Sequence, residues 1–255
     1  SCEKEDTQRI KMYEDYFPVE LPLLSEIVGN EFKVPTGYSI NQLTPGLLHN
    51  LGSANSDLRE NSLDTLWTWI VENKYSNQQV VEIGSQTAAN LHVGLGDICS
   101  DSVFLRAFSA LILGAVVNVD RICSLQGSER IVSDTQIKDW LNGTLLLLAE
   151  EKDLRGYVEE KGWAHCAAHT GDLLSELVSH PALDEGDLEL VLNTLSDTLM
   201  SAVDHVFIHN EDERLAAIVI KVLQRDLLPL SFYERWANSF IVPRGVSSWK
   251  DAFTQ

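Results

Sequence analysis

The sequence predicts an all-α protein of stacked antiparallel helix pairs, an α-solenoid of the HEAT or armadillo type or else a compact helical bundle. Three features of the chain predict this. Apolar residues recur at steps of three and four almost throughout, alternating strand patterns are nearly absent, and the ends of the periodic stretches carry ordinary helix punctuation. At 255 residues, with 44% hydrophobic and 22% charged side chains, the chain has the composition of one folded domain spanning 1–255, with no low-complexity linker at which to divide it.

Each element follows from this periodicity. The stretch from Phe17 to Pro45, broken by Pro18, Pro22 and Pro35, reads as short helices and loops. Ser56-Asp57 is placed to cap a helix carrying Leu63, Leu66, Trp67 and Ile70. After Asp101-Ser102 comes a nearly apolar run from Val103 to Val119. Arg106, Ser109 and Asn118 interrupt it, so it falls short of the ~18 consecutive apolar residues of a membrane span and reads as a buried core helix. Lys138 to Glu150 sets Trp140, Leu141, Leu145 and Leu148 on one side. His180-Pro181 closes a helix and Asp184 to Asp187 opens the next, whose stripe runs Leu188, Val191, Leu195, Leu199, Val203 and Val206. Leu215, Ile218, Val219, Val222 and Leu223 form a like stripe near the end, and the tail from Pro243 is expected to be irregular. Arg59, Arg106 and Arg214 each stand early in an apolar helix. About one solenoid repeat of roughly 40–47 residues separates the first two.

Charge narrows the partners. A formal net charge of −19, from 38 acidic and 19 basic side chains, argues against nucleic acid, which is bound by Lys and Arg that displace counterions. It argues equally against an anionic membrane surface. The expected partner is a protein, or a small anionic ligand held in a local basic pocket. Cys2, Cys99, Cys123 and Cys166 form no C-x-x-C pair, and their wide spacing fits reduced thiols in the cytoplasm.

The densest chemistry lies between Glu151 and Glu176. Gly162 breaks the chain, and a helix expected to begin near Trp163 would set His165, His169, Asp172 and Glu176 on one ridge. Its apolar side would be Ala164, Ala167, Gly171, Leu174 and Val178. Histidines at i and i+4 with an aspartate at i+7 could hold a divalent metal and activate a water for hydrolysis. The same imidazoles beside Arg155 could act as acid, base or anion-binding groups. The plainer reading is the polar side of an amphipathic helix, or a buried hydrogen-bonded network.

The run Arg155-Gly156, Gly162-Trp163-Ala164-His165, Ala168-His169 and Asp172-Leu173-Leu174 resembles the signature of an uncharacterised bacterial family, domain of unknown function 2785. Phe104-x-Arg106-x-Phe108-Ser109 is similar to the same pattern, and Cys166 and Thr170 depart from it. The resemblance implies no activity. It does imply that Arg155, Trp163, His165, His169 and Asp172 share one site.

Three further features bear on that site. His205, His209 and Asp212 repeat the spacing of His165, His169 and Asp172, although Asp212 reads more simply as a helix cap. Arg106, inside an apolar helix, requires a carboxylate or bound anion. Asp153 or Asp172 could supply it and draw Arg106 into the site, or the pair could be a rung of an Asp–Arg ladder between helices. Trp163 is expected at a pocket edge. There is no phosphate-binding loop and no G-x-S-x-G elbow, Gly94-x-Gly96 lacks the preceding strand of a dinucleotide fingerprint, and Cys166 is expected to point away from His165.

The sequence names no reaction, and two readings stand. One is a helical-repeat binding or scaffold protein with a polar pocket around the His165–Asp172 helix. The other is a metal-assisted hydrolase with His165, His169 and Asp172 as ligands. There Arg155 or Arg106 would stabilise an anionic substrate, and Glu176 or Asp153 would serve as base.

Overall fold

The computed structural model describes residues 16–201 and 206–241. The expectations placed on Cys2, Val203, His205 and the tail from Pro243 lie outside those residues. Among the described residues the chain is all-α: α1 (Leu21–Gly29), α2 (Ile40–Asn50), α3 (Ser56–Val71), α4 (Asn77–Asn90), α5 (Ser102–Leu125), α6 (Asp134–Glu150), α7 (Cys166–Val178), α8 (Glu185–Leu199), α9 (Glu211–Arg225) and α10 (Leu230–Asn238). Between α6 and α7 stands a two-residue hairpin, β1 (Tyr157–Val158) against β2 (Gly162–Trp163), antiparallel with Tyr157 opposite Trp163. Strand patterning of that length is invisible in a sequence.

Local chemistry sets the helix ends. Pro22 occupies the first turn of α1, where its missing N–H would have had no partner. The side chains of Ser39, Ser76 and Ser133 each accept a backbone N–H three residues on and so satisfy a donor that the helix itself leaves open. Asp184 and Asp187 cap α8 reciprocally. At α3 the cap is Asn55, accepting from Leu58 N at 3.0 Å, rather than Ser56-Asp57, which lie in the first turn. The stripe begun at Leu188 stops with α8. Leu188, Val191 and Leu195 are buried, whereas Leu199 is exposed.

The odd-numbered helices follow one another in space, α1 against α3, α3 against α5, α5 against α7 and α7 against α9. The even-numbered helices α4, α6, α8 and α10 likewise succeed each other, and each of α2, α4, α6 and α8 also packs on the odd helix that follows it. α5 is the centre of this arrangement. Its 18-residue apolar window is 83% buried within the protein, which accounts for its hydropathy. α7 and α9 approach closely at Gly171, where a Cβ would stand 3.2 Å from the backbone of Arg214.

Candidate functional site

The hairpin is fixed to α3 by an arginine. Arg59 is fully buried and donates through Nη2 to the carbonyls of Lys161 at 2.6 Å and Trp163 at 3.2 Å, and through Nη1 to Ser53 O at 2.7 Å. Its guanidinium lies over Phe104 and Phe108, with centroids 4.1 and 4.8 Å away. Carbonyl dipoles and ring faces therefore replace the water that a buried cation has lost.

Because Gly162 and Trp163 pair as a strand, the following helix starts three residues later than the sequence suggests. His165 is not on that helix. It precedes it in a left-handed conformation, φ 51°, and its carbonyl accepts the first helical bond from His169 N at 2.9 Å. Asn210 does the same before α9 with φ 64°. Two non-glycine residues in this sparsely populated region, at the mouths of two packed helices, swing His165 and His209 toward each other. Trp163 stacks on His165 with centroids 4.4 Å apart, and His209 meets both edge-on, at 5.2 Å from Trp163 and 5.9 Å from His165. Glu211 closes the group. It is buried, its Oε2 accepts from His209 N at 2.8 Å, and its Oε1 lies 3.5 Å from His165 Nε2 and 3.8 Å from His209 Nδ1.

His169, Asp172 and Glu176 do share a face of α7, and each is engaged by a neighbouring helix. His169 Nδ1 meets Ala107 O on α5 at 3.2 Å. Asp172 pairs with Arg214 of α9. Glu176 accepts from Asn118 at 2.9 Å and Arg121 at 3.4 Å, both on α5. Burial drives the His169 imidazole down to about 3, aided by His165 and Arg214. It lowers His165 as well, against the pull of Glu211, and raises Asp172 despite Arg214. The ligand set His165, His169 and Asp172 is therefore not the one that converges: among the described residues the group of three histidines and acids whose ligand atoms all lie within 4.8 Å of one another is His165, His209 and Glu211.

Arg106, Asp153 and Arg155 form a separate cluster behind the hairpin. The partner of Arg106 is neither Asp153 nor Asp172 but Glu151. The sequence reading missed it because Glu151 stands just past the end of α6 and turns inward where the chain leaves the helix. Arg155 pairs with Asp153 at 2.6 Å and donates to Ser100 O at 3.0 Å, pinning the hairpin's base to the loop before α5. Cys166 is buried, and its thiol donates to Glu151 Oε2 at 3.2 Å; burial pushes that thiol well up.

A cavity of about 550 Å³ opens beside the imidazoles. Among the described residues, only odd-numbered helices and the segments leading into them line it. Glu60, Leu63 and Asp64 come from α3, Phe108 and Leu111 from α5, and Trp163, His165 and His169 from the hairpin and α7. His209, Asn210 and Arg214 come from the entry and first turns of α9. Burial raises the Asp64 carboxyl. A second cavity of about 700 Å³ lies between α2 and α4, lined largely by amides and hydroxyls such as Asn41, Thr44 and Gln86. Among its described lining residues there is no imidazole and no cation, so the smaller cavity is the candidate site.

Fold and site together define an all-helical protein with a histidine-lined cavity beside a short hairpin. The chain belongs to the family described as protein of unknown function (DUF2785), whose pattern matches residues 91–252 and so covers α5 to α10 and the imidazole cluster. The acidic wall on α3 lies before the matched stretch. No curated protein and no solved structure matches the chain.

Four members of the site, Arg59, Glu60, Asp64 and Glu211, escaped the sequence reading. Arg59 was noted as a repeat position and not as a buried anchor, and Glu60 and Asp64 sit on the polar side of α3 with nothing to mark them. His209-x-Glu211 carried a weak signal: two ligand-type residues flanking an Asn can face one point when that Asn adopts the left-handed conformation it tolerates better than most.

Proposed function

We propose that this protein is a helical-repeat binding protein, an α-solenoid of the HEAT or armadillo type, holding a small dipolar ligand in the histidine-lined cavity. The observation that carries the reading is the cavity's two-sided polarity. Glu60 and Asp64 come with Leu63 from α3, and Arg214 with His165 and His209 from α9 and the segments before α7 and α9, with Phe108 and Leu111 of α5 as the apolar lining between. Arg214 commits Nη1 to Asp172 while its side chain stays 42% exposed, so it can receive an anionic group. The opposite carboxylates suit an amine or other donor. The volume falls in the range of roughly 300–1,000 Å³ typical of small-molecule sites.

The solenoid reading is supported by the succession of odd on odd and even on even helices. It is supported too by Arg59 and Arg106, each of which donates to carbonyls of the loop before its own helix, Ser53 in one case and Val93 and Gly94 in the other. Unbridged Cys99, Cys123 and Cys166 support a reducing compartment such as the cytoplasm.

Isothermal titration with a panel of amino acids, dicarboxylates and dipeptides tests the proposal. At least one compound should bind, and Arg214→Gln should weaken it by about tenfold or more, in keeping with the loss of a charge-assisted hydrogen bond. A panel in which nothing binds, or binding indifferent to Arg214→Gln, would count against it. A metal-assisted hydrolase is the second reading, favoured by three imidazoles at one cavity wall. Metal-dependent turnover of ester or phosphoester reporters would separate it from a pure binder.

A further inference from the structure

Beside the cavity, His165 Nε2 and Glu211 Oε1 are buried without a hydrogen-bond partner, as is Arg59 Nε behind Trp163. The imidazole nitrogen and the carboxylate oxygen face each other across 3.5 Å, longer than a good N–H···O bond, and His209 Nδ1 stands 3.8 Å from the same oxygen. A buried carboxylate oxygen and a buried imidazole nitrogen left in this state cost free energy, and a pair meant only to satisfy one another would close to hydrogen-bond distance.

The surroundings hold the three atoms in place. Trp163 stacks on His165 and fixes its plane, while Glu211 is anchored through its other oxygen to His209 N. Gly156 leaves room for the group: a side-chain carbon there would fall on His209 Nδ1 and within 3.0 Å of Glu211 Oε1. The left-handed residues His165 and Asn210 are what turn the two imidazoles inward.

We propose that His165 Nε2, His209 Nδ1 and Glu211 Oε1 bind a divalent transition-metal ion of the Zn²⁺ class. Two nitrogens and one carboxylate oxygen suit Zn²⁺ or its neighbours, whereas Ca²⁺ and Mg²⁺ favour all-oxygen shells. Bonds of about 2.0–2.1 Å in a tetrahedral shell put ligand atoms roughly 3.3–3.4 Å apart. The separations of 3.5 and 3.8 Å from Glu211 Oε1 need to contract by only a few tenths of an ångström, and the two imidazole nitrogens, which lie within 4.8 Å of each other, must close to the same spacing. His165 and His209 both line the cavity, so the ion would face the cavity's occupant with its remaining position. It would also join the hairpin side of the site to the start of α9. This goes beyond ligand binding in the cavity and can hold or fail on its own.

The test is metal binding by the full chain after chelator stripping, read by elemental analysis with Zn²⁺ and by visible absorption with Co²⁺. One ion per chain is expected, with the d–d bands of tetrahedral Co²⁺. His209→Gln and Glu211→Gln should each weaken binding by at least about tenfold, the scale already seen for mere supporting partners. Asp172→Asn and His169→Gln, which alter the other candidate ligands, should leave it within about threefold of the parent. Circular dichroism checks the fold, and Glu211→Gln keeps an acceptor for His209 N. Absence of stoichiometric binding overturns the proposal. So does binding that survives both His209→Gln and Glu211→Gln in folded protein, or that is lost through His169→Gln while His209→Gln retains it.

Discussion

Arg106 and Glu151 meet in the interior as a two-pronged pair, Nε to Oε2 at 2.6 Å and Nη2 to Oε1 at 2.9 Å, with 0% and 4% of their side chains exposed. Arg106 Nη1 also donates to Val93 O, Gly94 O and Ser102 Oγ, and Glu151 Oε1 accepts from the backbone of Lys152 and Asp153. One pair thus ties the long core helix α5 to its own entry loop and to the start of the hairpin. Arg106→Ala leaves a buried carboxylate uncompensated and should destabilise the fold by about 3–5 kcal/mol. Chemical denaturation checks this, and a loss below about 1 kcal/mol would contradict it.

Arg59 gives a second expectation on the opposite side of the hairpin. Arg59→Met keeps much of the volume between Phe104 and Phe108 but leaves the carbonyls of Ser53, Lys161 and Trp163 without their donor. A loss of about 2–4 kcal/mol is expected. Because the hairpin is released from α3, acrylamide quenching of tryptophan fluorescence should increase with it. An unchanged quenching profile would mean that Arg59 does not hold Trp163.

Acid stability should depend on Asp120. This buried carboxylate accepts from Arg130 Nε at 2.7 Å, from the backbone N–H groups of Ile131 and Val132 at 2.6 and 2.9 Å, and from His180 Nε2 at 3.0 Å. The tautomer follows from the network, since His180 Nδ1 accepts from Ala182 N. Burial alone would raise the Asp120 carboxyl, but these donors, led by His180, outweigh it and hold the group below its ordinary value. Its folded value therefore lies below the unfolded one near about 3.9. The stability it contributes is complete above that value and lost as pH falls through the folded one. Denaturant midpoints measured from neutral pH down to strong acid should fall for the wild type below about pH 4. Asp120→Asn should be less stable at neutral pH and show a shallower decline.

The cysteines should differ sharply toward alkylation. Cys99 is exposed, whereas Cys166 is buried with its thiol bonded to Glu151 and its pKa pushed well up by burial, which holds it in the unreactive thiol form. Iodoacetamide on native protein, read by peptide mass mapping, should mark Cys99 and spare Cys166 until the protein is denatured. Rapid native labelling of Cys166 would contradict its placement.

The helical fold was legible because its cause is local and periodic. The apolar stripe of α6 through Trp140, Leu141, Leu145 and Leu148 is buried as the spacing requires. The site was only half legible. Trp163, His165 and His169 were singled out, and all three line the cavity. Their grouping with Asp172 was assumed from a helix that begins too early, because a two-residue strand pair leaves no pattern in the chain. Glu211 and Arg59 became visible only in three dimensions. Their roles depend on a left-handed Asn210 and on a hairpin lying across α3, neither of which spacing encodes.

If the cavity bounded by Leu63, Phe108 and Trp163 is where this protein binds its ligand, filling it should abolish binding without unfolding the chain. The measurement is the thermal shift given by the panel of amino acids, dicarboxylates and dipeptides on wild type and on Leu63→Trp, a partly buried position on the α3 wall. The binding account predicts a rise in Tm with at least one compound for the wild type and none for a folded Leu63→Trp variant. An equal rise in both proteins would place the ligand elsewhere, and no rise in either would remove the cavity as a binding site for this class of molecule.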